Sequence, residues 1–149
     1  MRIPALFALT LAGALCATGA LAVDNLTYSD APDLSSVRAK IKAKDYKAAI
    51  EELTPMLASR QHADVYNLMG FSLRKTGDYK QAYTYYRKAL DFDADHKGAL
   101  EYLGELYVET GQIEKAKENV AHLKKLCPNG CEELADLEKA ISSASARVN

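Results

Sequence analysis

The sequence predicts an all-α fold of stacked helical hairpins, on three observations. Sliding the chain against itself gives matches at an offset of 34 residues: Gly70 with Gly104, Thr76 with Thr110, Gly77 with Gly111 and Ala82 with Ala116. Met69/Leu103, Leu73/Tyr107 and Phe92/Leu126 are apolar equivalents in the same register, and a period of this length marks a repeat of helix-turn-helix units. Small residues recur inside those units at fixed places. Beyond them, Leu134, Leu137 and Ile141 recur at helical spacing with polar residues between, which predicts one more amphipathic helix.

In chain order, residues 1–22 read as a secretory signal peptide, with Arg2 in the n-region, Ala5 to Leu15 as the apolar segment and Ala20-Leu21-Ala22 as the cleavage site. The expected mature chain begins at Val23, in the periplasm or outside the cell. A lipid-attached Cys16 is disfavoured because Leu15 before it is bulky, and a retained anchor is disfavoured because the apolar segment is short for a span. Residues 23–33 are polar and turn-rich and read as a linker. Residues 34–62 form a degenerate hairpin: Lys44-Asp45-Tyr46 resembles a repeat turn one residue out of phase, and Pro55 is expected to kink the second helix.

The full units are 63–96 and 97–130. Gly70 and Gly104 lie mid-helix, where Gly costs about 1 kcal/mol against Ala, so their recurrence predicts a neighbouring helix too close for a β-carbon. Ala82 and Ala116 do the same on the second helices. Gly77 and Gly111 fall where the first helix must end in a left-handed cap, and Asp78 with Gln81 three residues later is a capping box for the next helix. Residues 131–149 are expected to be a capping helix and a frayed tail, with Asn129 and Glu132 as the capping box that starts it.

These residues carry a family resemblance. Tyr66, Met69-Gly70, Leu73, Gly77-Asp78-Tyr79, Ala82, Tyr86 and Ala89, then Leu100, Leu103-Gly104, Tyr107, Gly111, Ala116 and Val120, ending in Pro128, resemble the tetratricopeptide repeat. With the export signal, the chain is similar to the small exported bacterial members of that family. The resemblance implies a right-handed α-solenoid and a non-enzymatic scaffold that holds a protein or peptide in its concave groove. Leu123 stands where the family prefers Ala, implying looser packing onto the succeeding segment.

Composition is consistent with this. The two charge signs are interspersed, 19 basic against 20 acidic, which gives no footprint for nucleic acid. No apolar run after the signal is long enough to insert stably in a membrane. There is no Gly-rich phosphate loop or nucleophile elbow, and adjacent acids such as Glu51-Glu52 and Glu132-Glu133 point about 100° apart on a helix, so no catalytic residues are assigned. His62, His96 and His122 lack ligand spacing and read as solvated residues; no metal or cofactor site is expected. Of the tyrosine cluster, Tyr79, Tyr83 and Tyr86 read mainly as packing and Tyr85 as the exposed member.

Cys127 and Cys131 would be the two cysteines of the mature chain. In an oxidising compartment they read as a structural disulfide at the junction with the capping helix. The alternatives are a redox-active pair and a Cu(I) site, which would make the protein an envelope thiol-redox or copper-handling protein.

By family resemblance, the groove positions on the first full unit are Asp64, Asn67, Phe71, Arg74 and Lys75, and on the next Glu101, Glu105, Val108 and Glu109. The family's clamp for a peptide carboxylate is missing apart from Asn67. The three glutamates form a stripe at i, i+4 and i+8. That stripe is a solvated face, or it pairs internally with Arg74, or it grips a cationic segment with Phe71 as apolar anchor. The oligomeric state is open.

Overall fold

The computed structural model describes residues 31–146. The expected signal peptide, residues 23–30 of the linker and the end of the tail lie outside the described residues. Among those described there are seven helices and no strand: α1 Ser35–Lys42, α2 Tyr46–Ser59, α3 Ala63–Lys75, α4 Tyr79–Phe92, α5 Lys97–Glu109, α6 Ile113–Leu126 and α7 Glu132–Ala146. They pack as the hairpins α1/α2, α3/α4 and α5/α6, with α7 set against both α5 and α6.

The turns follow from local chemistry. Gly77 and Gly111 take φ of 89° and 75°, the left-handed region open to glycine, and reverse the chain inside each full repeat. In the first hairpin that conformation falls on Lys44, at φ 61°. Asp45 and Asp78 cap α2 and α4 through their side chains, accepting from the amides of Ala48 and Gln81 at 3.1 Å. The Gln81 side-chain amide also donates to the Asp78 carboxylate, at 2.7 Å. Gln112, at the equivalent position before α6, makes no side-chain cap.

α2 is one helix from Tyr46 to Ser59 with Pro55 inside it. Several expectations need correction. Asn129 does not start α7: the helix begins at Glu132 and the Ala135 amide bonds back to the Cys131 carbonyl, so Cys131 holds the cap position. Tyr85 is not the exposed tyrosine. It is half-buried and stacks on Tyr66 with ring centroids 6.3 Å apart, whereas Tyr79 and Tyr83 are more than two-fifths exposed. Leu123 leaves no looseness of its own, being fully buried in the core.

One core cluster runs from Leu34 and Val37 on one end to Leu134 and Leu137 on the other. The close approaches predicted at the mid-helix glycines are present. A β-carbon on Gly70 would lie 2.7 Å from Tyr86 Cδ1, and one on Gly104 would lie 2.5 Å from Leu137 Cδ2. The second of these shows what α7 is. Leu134 and Leu137 stand 34 residues after Leu100 and Leu103, so α7 occupies the place of the first helix of a further unit rather than a lid of unrelated register. That puts α3, α5 and α7 side by side as first helices on one face.

Candidate functional site

That shared face carries two depressions. Toward the C-terminal ends of the helices is a cleft of about 730 Å³, lined by Lys75 of α3, Glu105, Val108 and Glu109 of α5, and Asp136, Lys139 and Ala140 of α7. Toward the N-terminal ends is a smaller recess of about 300 Å³ that reaches from Arg38 of α1 through Asn67 and Glu101 to Glu133 and Asp136. Asp136 lines both. The groove positions expected from sequence lie on this face, but they differ in what they leave accessible.

Arg74 is buried, with its side chain only 1% exposed. Its guanidinium bonds Glu109 Oε1 at 2.9 Å and also pairs with Glu105, and it lies 5.7 Å and 5.9 Å from the ring centroids of Phe71 and Tyr102. Two of the three stripe glutamates are therefore committed to a cation from the neighbouring repeat, as the internal-pairing alternative describes. Phe71 is committed too. Its ring meets Tyr46 edge-on at 6.3 Å and Tyr102 at 4.8 Å, with the Lys75 ammonium 5.2 Å from its centroid.

Glu101 differs from its two stripe neighbours. It is 8% exposed and forms no hydrogen bond or ion pair among the described residues. Burial, reinforced by the charges of Glu105, Asp136 and Glu133, pushes its carboxyl up to about 8. Asn67, its equivalent one repeat earlier, is also buried. Its Nδ2 lies against Gly98, where a β-carbon would come within 3.2 Å, and its Oδ1 has no hydrogen-bond partner among the described residues.

Asp64 is the hub at the edge of the recess. It accepts from His96 Nε2 at 3.3 Å and from Arg38 at 3.4 Å. The His96 bond, aided by the charge of Arg38, holds its carboxyl below the usual range against the cost of burial. The expectation of solvated histidines fails here. His62 Nδ1 and His96 Nδ1 accept from the amides of Asp64 and Ala99 at 3.2 and 3.0 Å, so both cap helices. With Nδ1 accepting, the His96 proton sits on Nε2, where it donates to Asp64. His122 pairs with Asp95 at 2.8 Å. The 34-residue spacing of His62 and His96 is the signal in the sequence for their shared role. The α7 residues of the face also escape the groove assignment from sequence, and continuing the repeat offset past Gly130 would find them.

Cys127 and Cys131 are at disulfide distance across the α6–α7 turn, with α-carbons 5.8 Å apart. Gly130, at φ 87°, donates to the Cys127 carbonyl at 2.9 Å within that turn. Among the described residues, no group of three or more His, Cys, Asp and Glu is placed to hold a metal ion, and no helix is long and apolar enough to cross a membrane.

Against known families, residues 73–141 match the model of the tetratricopeptide repeat. The fold is a tetratricopeptide-like solenoid. The matched stretch runs from the end of α3 into α7, which agrees with α7 continuing the repeat. Comparison with curated proteins gave no match. Tetratricopeptide repeats in general mediate protein–protein interaction, and the family is in general non-catalytic.

Proposed function

We propose that this protein is an exported, non-enzymatic scaffold that holds an extended segment of a partner protein along the inner face of α3, α5 and α7. The cleft of about 730 Å³ between those helices carries the reading. Its floor mixes apolar contact area from Val108 and Ala140 with polar side chains from Lys75, Lys139 and Ser143, the combination that lets a segment be held by packing and oriented by hydrogen bonds. The partner segment carries positive charge, since the recess at the other end of the face is acidic. The protein works outside the cytoplasm, with Val23 as its first residue, and the Cys127–Cys131 pair serves as a structural bridge; the burial of Cys127 at the helix junction supports that role.

A photo-crosslinking amino acid placed at Val108 or Ala140 tests the groove in the protein's own compartment. Adducts from both positions and none from Tyr79, on the exposed side of α4, are the expected pattern. Adducts from Tyr79 alone would move the binding surface off this face. N-terminal sequencing of the exported chain tests the compartment, and a chain retaining Met1 would overturn it.

A further inference from the structure

The recess at the N-terminal ends of α3, α5 and α7 carries more acidic side chains than basic ones. Glu101, Glu133 and Asp136 converge on it, and none of the three forms an ion pair or hydrogen bond among the described residues. An acidic cluster alone would mean little, because Glu133 also sits in the first turn of α7, where a negative charge favours the helix. Asn67 supplies the second observation. It is only 4% exposed, it lines the same recess, and its Oδ1 accepts nothing from the described residues. A buried acceptor left empty beside a carboxyl that has no partner is a costly arrangement that a donor would relieve.

We propose that this recess takes the guanidinium of an arginine side chain from the partner segment. A guanidinium has five N–H donors held in one plane and no acceptor, so one group can serve several acceptors on α3, α5 and α7 at once. Tyr102 also lines the recess. The volume of about 300 Å³ is far more than a bare metal ion fills, and the acids do not form a metal-holding group. Arg38, the protein's own arginine at the rim, is engaged with Asp64 and stays more than half exposed.

This inference rests on the groove reading, so its test separates the two. The probe is a blocked peptide of Gly and Ser with one central arginine, followed by NMR on the full mature chain at low salt, beside the same peptide with citrulline, the neutral isostere. The arginine peptide should shift the Asn67 side-chain amide and the Gly98 backbone amide, and Glu101→Gln should weaken it by about tenfold, as for a close charge pair removed. The variant replaces the carboxyl with an amide of the same shape and should fold, and Asp136→Asn, at an exposed site, provides a second weakening that does not touch the core. Equal shifts from the citrulline peptide would overturn the assignment, as would the same shifts from calcium chloride. Shifts confined to Val108, Ala140 and Ser143 would remove the recess and leave the groove standing. Shifts at neither end would count against both.

Discussion

In the repeat at 63–96 the close contact at Gly70 is made by Tyr86 of the same hairpin, whereas in 97–130 the equivalent Gly104 receives Leu137 from α7. The residue one period after Tyr86 is Val120, too small to fill the same space, and α7 fills it instead. The caps differ in the same sense: Gln81 donates both its backbone and its side-chain amide to the Asp78 carboxylate at the start of α4, and Gln112 leaves α6 without a side-chain cap. The first repeat closes on itself. The second borrows its closure from the succeeding helix, which assigns α7 and the Cys127–Cys131 turn a structural task beyond covering an apolar face.

The largest effects should come from the two glycines. Gly70→Leu and Gly104→Leu each drive a side chain into a contact with no room for a β-carbon, and a loss of about 3 kcal/mol or more is expected from denaturant melts. The comparison predicts how they couple. Gly104→Ala combined with Leu137→Ala should recover about 1 kcal/mol relative to the sum of the single changes, while Gly70→Ala combined with Leu137→Ala should be additive. Additivity in both cycles would mean that α7 does not close the second repeat.

Next in size is the ion-pair set that ties the repeats together. Arg74 belongs to the first repeat and its carboxylates to the second, so the double variant Glu105→Gln, Glu109→Gln should strand a buried guanidinium and cost about 3 kcal/mol. Phe71 and Tyr102, which flank that guanidinium, should become more accessible in the variant. For the same reason, reversing all three stripe glutamates to lysine would not leave the fold intact, so such a variant would not isolate binding. Unchanged stability of the double variant would show that the pairs are dispensable.

These contacts are unequally legible in the sequence. Gly70 and Gly104 announce a close approach because glycine in mid-helix has few other reasons to recur. The partner of Gly104 is less visible, since finding it requires carrying the register into a helix that reads as a simple cap. Sequence spacing allows the glutamate stripe to face solvent, a ligand or Arg74, and only the burial of Arg74 decides for Glu105 and Glu109. Glu101 shares the spacing of its neighbours yet ends up buried under α7 charges that no local pattern reveals. The histidine caps escape notice because Ser, Thr, Asn and Asp lead at that position, although an unprotonated Nδ1 accepts an amide hydrogen equally well.

The first-helix position that holds Asn67 in one repeat holds Glu101 in the other, and this sets a pH dependence on the second alone. The Glu101 carboxyl titrates at about 8 in the folded protein, against an ordinary value near 4.5. Between those values the folded state holds a proton that the unfolded state has released, so stability from this group declines as pH rises through the window and levels off above it. Glu101→Gln should therefore match wild type near the bottom of the window and melt roughly 5 °C higher at its top. Parallel melting curves across the whole range would show that the carboxylate is solvated after all.

The smallest expected effect is the most direct test of the cap difference. Gln112 precedes α6 with φ −93° and ψ 55°, close to the −84° and 71° of Asp78 before α4. The backbone is thus already in capping geometry, and only the side chain is wrong: the amide of Gln112 instead donates to the Thr110 hydroxyl, and its oxygen accepts from Lys115 Nζ. Aspartate is one methylene shorter, which places its carboxylate over the Lys115 amide as Asp78 sits over Gln81, and its charge also suits the helix start. Gln112→Asp should stabilise by about 0.5–1 kcal/mol, and Asp78→Ala should lose about the same. Hydrogen exchange of the first turn of α6 should slow in the aspartate variant until it resembles that of α4. If exchange there is unchanged while Asp78→Ala frays α4, then the two helix starts differ for a reason other than the cap, and the asymmetry between the repeats lies wholly in Gly104 and Leu137.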